Sequence, residues 1–302
     1  MSQFHESVLL SEVIKCLKVK PGFRYIDATV GSGGHTLEII RRGGIVLGID
    51  RDPEAIEHLK KSQKSKVPPK ARLAKGGKSQ KLTLVRGNFV NIEEIAREQG
   101  FSKVSGIVFD LGVSSHQLEK AQRGFSFSKE GLLDMRMDPT IKITAADLIN
   151  NLDKRRLYEI LKTYGQEKLS RSIVDAIYRT RQIRPIKTTT ELASIVEQVY
   201  QQKKVKSKLD PATKAFLALR IVVNSELLNL EEALPQAVEL LERGGRLTII
   251  SFHSLEDGIV KRFFKQEDRL KVLTKKPVGP GAEEILKNPR SRSAKLRVAQ
   301  KL

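Results

Sequence analysis

The residues best placed to do chemistry begin with Tyr25-Ile-Asp-Ala-Thr-Val-Gly-Ser-Gly-Gly-His35. An acid, Asp27, closes a short apolar run. A glycine turn follows at Gly31, Gly33 and Gly34, and a helical stretch begins there. Glycine in such a turn permits a positive φ and close backbone approach to a ligand, and the free N–H groups of a helix start face an anion. Two ligands use this device. A dinucleotide needs the spacing G-x-G-x-x-G, but counted from Gly31 the third glycine position is Thr36, so that fingerprint fails. S-Adenosylmethionine instead brings its amino-acid carboxylate to the loop, and an acid ahead of the glycines suits its positive amino group or sulfonium, a part that Asp27 fits. Asp50 ends a second apolar run, seventeen residues past Gly33; a carboxylate there accepts both ribose hydroxyls of either ligand. Phe89 follows a third run and can stack on an adenine. Asp110 ends a fourth.

These positions share a placement that elements of one kind provide. Residues 24–28, 45–50, 82–86 and 106–110 are short, β-branched runs that are apolar on both faces, and helical patterns at 34–42, 53–61 and 91–99 separate them. The expected fold class is α/β: a doubly wound, Rossmann-like sheet, parallel and covered on both faces. Ligands of such sheets lie beyond the carboxyl ends of the strands, where Asp27, Asp50, Phe89 and Asp110 converge. The stretch 62–81 holds lysines, Pro68, Pro69, Gly76 and Gly77 and no acid, and is expected to be a flexible basic loop. From 119 to 214 helical periodicity replaces the strands, at 145–152, 153–163, 168–181 and 191–203, with Thr188 and Glu191 spaced as a capping box. The strand–helix rhythm then resumes. A helical stretch covers 213–241 with a break expected near Pro235, then come a strand at 246–252, a helix at 256–268, and a final antiparallel pair at 270–274 and 295–299. The expected organisation is a discontinuous α/β domain, 1–118 and 215–302, the part that would hold the methyl donor, carrying an inserted all-helical domain at 119–214.

Composition narrows the function. The 302 residues include 55 basic and 35 acidic side chains, a formal charge of +20. Such an excess fits a polyanionic partner, because neutralising phosphates releases condensed counterions. Apolar residues make up 39%, enough for a core, and the absence of Trp leaves that core mainly aliphatic. Cys16 is the only cysteine, so no internal disulfide forms and a reducing compartment is expected. No run approaches the apolar length of a membrane span, and the first helix-like run, 7–17, carries Glu12 and Lys15 and no cleavage pattern. A soluble cytoplasmic protein without membrane partners is expected. The five histidines do not cluster with Cys16 at zinc-ligand spacing; no metal is expected, though a weakly held Mg²⁺ is left open.

Several further segments become specific when taken together. They are Gly31-Ser-Gly-Gly-His35, Gly48-Ile-Asp-Arg-Asp-Pro53, Asp110-Leu-Gly-Val-Ser-Ser115, Arg123-Gly-Phe-Ser-Phe127, Leu133-Asp-Met-Arg-Met-Asp-Pro139 and Leu161-Lys-Thr-Tyr-Gly165, followed by Arg220-Ile-Val-Val-Asn-Ser-Glu226, Ile250-Ser-Phe-His-Ser-Leu-Glu-Asp257 and Asn288-Pro-Arg-Ser-Arg-Ser293. In this order they resemble the small-subunit ribosomal RNA cytosine-N4 methyltransferases, the RsmH or MraW family, across nearly the whole chain. The resemblance implies methyl transfer from S-adenosylmethionine to the N4 amine of a cytidine in 16S ribosomal RNA, free or in the assembled small subunit. It also implies cofactor contacts from Gly33, Gly34, His35, Asp50, Phe89, Asp110 and Gln117, and a helical insertion that helps bind substrate. The family usually has proline before that glutamine, where this chain has His116. Oligomeric state is left open, a homodimer included.

A cytosine amine is a poor nucleophile, because its lone pair is delocalised into the ring. The site therefore needs acceptors for its hydrogens and a group to take the shed proton, help worth about 10²–10⁴-fold. Asp110 is one candidate. His253, at the end of the 246–252 strand between Phe252 and Ser254, is a second, with a hydrogen-bonded structural part as its alternative. Arg123 with Phe125 and Phe127 forms a group suited to backbone contact and base stacking, unless the rings are core. Arg136, Arg155, Arg156, Arg171, Arg290 and Arg292 are phosphate-contact candidates. Three competing readings stand beside this one: the same fold acting on DNA or protein, a non-catalytic RNA-binding assembly factor, and, third, a dehydrogenase.

Overall fold

The computed structural model describes residues 7–66, 81–207 and 209–302. The chain divides into two compact units, one formed by Val113–Glu226 and the other by the flanking segments up to Gly112 and from Leu227 onward.

The flanking segments build a seven-stranded sheet in the order β3-β2-β1-β4-β5-β7-β6. Its strands are β1 (Arg24–Asp27), β2 (Ile45–Asp50), β3 (Leu82–Arg86), β4 (Val104–Asp110), β5 (Leu241–Ser251), β6 (Leu270–Val272) and β7 (Lys295–Lys301). β1 to β5 pair in parallel, and β7 runs antiparallel to β5 and β6. Consecutive strand residues point to opposite faces, and here both faces are apolar. Leu47, Ile49, Phe109 and Ile249 join one core with α4 (Ile92–Glu98), α11 (Glu226–Leu240) and α12 (Ser254–Gln266). Val46, Val108 and Ile250 join another with α1 (Leu10–Leu17), α2 (Gly34–Arg41) and α3 (Pro53–Lys66). This is the fold class expected from the alternating runs.

Local boundaries moved for identifiable reasons. α3 continues to Lys66, past the expected end at 61, and the remainder of the expected basic loop, 67–80, lies outside the described residues. β5 starts at Leu241 rather than 246, with a register shift against β4 between Val104 and Gly106. The break expected near Pro235 falls instead at Ser225, which takes φ +51° between α10 (Thr213–Asn224) and α11. Pro235 sits inside α11 on its exposed side, while Ala233, Leu234, Ala237 and Val238 are fully buried and the helix continues across it.

The unit Val113–Glu226 is helical. It contains α5 (Ser115–Glu119), α6 (Ala145–Asn151), α7 (Lys154–Thr163), α8 (Ser170–Ile183), α9 (Thr189–Gln202) and α10 around a core that includes Ile149, Leu157, Ile173, Val196 and Leu219. The Thr188–Glu191 capping box forms as its spacing implies. Among the described residues, no helix is long and apolar enough to cross a membrane.

Candidate functional site

β1, β2, β4 and β5 end at one edge of the sheet. Asp27 is level with Gly48 and Val108, and Asp110 is level with Ile250. The chain leaves β1 for β2 on one side, and leaves β4 toward β5 on the other. That reversal between adjacent strands is the place where doubly wound sheets open a crevice for ligands.

The turn between β1 and α2 is built from positive-φ glycines. Gly31 has φ +50° and donates its N–H to Asp50 Oδ2 at 2.7 Å. Gly33 has φ +86° and caps α2; a Cβ there would stand 2.0 Å from Leu59 Cδ1. Leu59 is fully buried and has little room to yield. Gly33→Ala is therefore expected to lower stability by about 1–3 kcal/mol, from backbone strain and overpacking together. A thermal unfolding midpoint equal to wild type would contradict this account of the turn.

The acids at the strand ends have distinct surroundings. Asp27 is 1% exposed; its Oδ2 accepts from Thr36 Oγ1 at 2.6 Å and its Oδ1 from the Thr29 N–H at 3.2 Å. Burial raises its pKa to about 6 against those hydrogen bonds. Asp50 accepts from the N–H groups of Gly31 and Asp52, and burial raises it to about 6 as well. Asp110 is anchored by its own N–H, which donates to Thr29 Oγ1 at 2.6 Å. Its side chain remains 24% exposed, but Oδ1 is buried and has no hydrogen-bond partner among the described residues. Burial first, then the charges of Asp27 and Glu256, push its pKa well above the usual carboxylate range.

His35 faces that carboxyl. Its Nδ1 lies 3.6 Å from Asp110 Oδ2, and its Nε2 lies 3.2 Å from the Val8 carbonyl. A carbonyl only accepts, so Nε2 carries the proton and Nδ1 is bare. Burial depresses the imidazole pKa to about 4. A neutral Asp110 can thus turn its proton toward the bare Nδ1, whereas a neutral His35 and an ionised Asp110 would set two proton-free acceptors against each other.

The remaining candidates are placed as follows. Phe89 is 8% exposed and meets Phe109 edge-on, with ring centroids 5.5 Å apart. His253 caps α12 in a capping box with Glu256; its Nε2 stands 3.2 Å from Glu256 Oε1 without hydrogen-bond geometry. Gln117 belongs to the helical unit, where it is buried and its Oε1 accepts from the Ser114 N–H in the capping box of α5. Sequence reasoning missed Thr29, Thr36 and Glu256. Thr36 had a signal: the residue that breaks the dinucleotide spacing is the one whose hydroxyl holds Asp27.

The structure also sorts the phosphate-contact candidates. Arg123 donates to the carbonyls of Arg136 and Met137. Phe125 is buried, and Phe127 packs edge-on against Phe216 at 4.9 Å, so both rings serve the core. Arg136 pairs with Asp134, Arg155 with Glu159 and Arg156 with Asp153. Arg171 leans on the Tyr158 ring at 5.9 Å. Arg290 and Arg292 are exposed on a 3₁₀ turn, Pro289–Ser293.

Comparison with known proteins adds two findings. The model of the MraW methylase family matches residues 2–302. Proteins named ribosomal RNA small subunit methyltransferase H are similar along the whole length. That of Persephonella marina is 45% identical, covering 99% of each chain; that of Halothermothrix orenii is 43% identical, covering 99% of this chain and 98% of its own; that of Coxiella burnetii is 42% identical, covering 99% of each.

Proposed function

The chain belongs to the MraW methylase family, and from that premise we propose that it methylates the N4 amine of a cytidine in 16S ribosomal RNA, with S-adenosylmethionine as methyl donor. One observation carries this reading: relatives named as small-subunit ribosomal RNA methyltransferases align over 99% of the chain, so both units are shared with them.

The strand-end residues suit such a donor. Asp50 offers a carboxylate to a ribose diol, and Asp27, tied to Thr29 and Thr36, holds the turn of Gly31, Gly33 and Gly34. Phe89, His35, Asp110 and Gln117 complete the proposed cofactor contacts. When bound, the donor supplies a methyl group on positively charged sulfur. A cation beside Asp110 favours its ionised form. The exposed part of that carboxylate can then accept a hydrogen of the amine and take the proton shed as the N–C bond forms and the methyl–sulfur bond breaks. His253 is the second proposed proton-handling residue, at the adjoining end of β5. The 119–214 segment is proposed to recognise the RNA, and the protein is proposed to act in the cytoplasm.

Tritiated methyl incorporation tests the reading directly. Label is expected in small-subunit ribosomal RNA and in N4-methylcytidine after nucleoside mass spectrometry. Parallel reactions with naked 16S ribosomal RNA and with assembled subunits identify which form is methylated. Label confined to DNA or protein would overturn the proposal.

A further inference from the structure

Many of the arginines are engaged with acids, carbonyls or rings. Arg290 and Arg292 have no acidic or carbonyl partner among the described residues, a condition they share with Arg179 and Arg243, but they alone of these stand two residues apart on one turn. The turn that carries them is nevertheless firmly held. Ser291, between them, is fully buried, and both its N–H and its hydroxyl donate to the Asn288 carbonyl, at 2.9 and 2.8 Å. The Asn288 N–H donates to Glu284 O at 2.7 Å, and the Ala294 N–H donates to Ser291 O at 2.8 Å. Buried residues 288, 291 and 294 thus pin the turn from beneath, and the two guanidiniums stand outward. Flexible cations lose side-chain entropy on binding; a fixed backbone under them reduces that loss.

Strand register places this turn at the candidate site. Asp110 on β4 is level with Ile250 on β5, and Ile250 is level with Leu296 on β7. β7 is antiparallel, so the residues preceding Leu296 extend past the same edge as Asp110. A second connection reaches the site through α13 (Ala282–Lys287), which leads into the turn. Glu284 Oε1 accepts the Leu9 N–H at 2.7 Å, and the neighbouring Val8 carbonyl meets His35. The acids of α13 are occupied: Glu284 by Leu9 and Glu283 by Lys287. Asn288 Oδ1 is buried beneath the turn and finds no donor among the described residues. Two outward cations lacking anions, on a turn fixed from beneath, match the successive phosphates of a nucleic-acid backbone, which for a ribosomal RNA methyltransferase is RNA.

We propose that Arg290 and Arg292 form a two-point clamp on the ribosomal RNA backbone at the rim of the methylation site. This rests on the reading of the protein as a ribosomal RNA methyltransferase. Guanidinium is suited to the task because its planar donors meet phosphate oxygens in pairs.

The test compares wild type, R290A/R292A and R290K/R292K for binding to transcribed 16S ribosomal RNA and to unmethylated small subunits across a salt series. Each phosphate contact contributes about 0.7–0.9 to the slope of log affinity against log salt. The alanine pair is expected to flatten that slope by about 1–2 and to weaken binding at low salt by roughly 10- to 100-fold, raising KM for RNA. The lysine pair keeps most of the slope. Binding of S-adenosylhomocysteine by calorimetry, unchanged in both variants, shows that the fold and donor site are intact. A wild-type slope in the alanine pair overturns the clamp alone. A wild-type protein that neither binds nor methylates the RNA overturns the underlying reading, and the clamp with it.

Discussion

Asp110→Ala is expected to slow methyl transfer by about 10²–10⁴-fold while leaving the protein folded and as stable as wild type, or more so. The two halves of this expectation have one cause. Asp110 is held beside Asp27 and Glu256 with its Oδ1 buried and unpartnered, and its proton affinity is raised accordingly. A carboxyl in that state lowers folding stability whenever it is ionised, because the unfolded chain would ionise it freely. Alanine removes that cost, whereas loss of most buried polar groups is destabilising. Such strain at a site is what a proton acceptor requires and what packing alone would not retain. Asp110→Asn separates shape from chemistry. Its amide can donate to His35 Nδ1 as the acid would, so packing is kept, but it cannot take up a proton. Single-turnover rates and thermal melts of both variants decide the matter. A wild-type rate in either variant would remove Asp110 from the chemistry, and a collapse of the melting transition would assign it a structural part instead.

The sheet was legible because its signal is local. β2 and β3 occupy the residues expected of them, since apolar runs buried on both faces stand out against charged flanks. The strand-end acids were legible for the same reason, as each is the first charge after such a run. Features set by distant contacts were not. The helix break at Ser225 depends on Asn224, whose side chain bonds the Met135 carbonyl and the Met137 N–H nearly ninety residues away in sequence. Proline is the usual breaker, but the buried residues flanking Pro235 outweigh one missing hydrogen bond. The pairing of His35 with Asp110 was hidden too, because it needs α2 and β4 side by side. Single residues also carried several readings at once. His253 was read as base or structural residue, and its position as the cap of α12 gives it a structural part that does not depend on catalysis.

The donor's affinity is expected to rise with pH, about tenfold between pH 5 and pH 7.5, with Asp50 as the main source. In the free protein, burial and the neighbouring charge of Asp52 hold the Asp50 proton on, offset in part by Arg51 and by the N–H groups of Asp52 and Gly31, and its pKa is about 6. A ribose diol donates hydrogen bonds, so it binds the ionised carboxylate in preference. Near pH 5 about a tenth of a group with that pKa is ionised, and binding must release the proton from the rest. Above pH 7 the Asp50 carboxylate is already charged and its share of the dependence ends. The sign for folding is opposite. Asp27, also raised to about 6, favours the folded state below its unfolded value of 3.8, and that contribution, on the order of 3 kcal/mol, is lost as pH rises through 6. The ligand-free protein should therefore lose stability across the interval in which it gains affinity, and the donor should restore part of what is lost. Calorimetric titration with S-adenosylmethionine in buffers of different ionisation enthalpy measures both affinity and protons released. Asp50→Asn keeps the side-chain shape, and in that variant the affinity should be weaker and its rise between pH 5 and 7.5 much reduced. A wild-type affinity that is flat from pH 5 to 7.5, or an Asn variant that retains the full slope, would show that Asp50 does not meet the donor as a carboxylate.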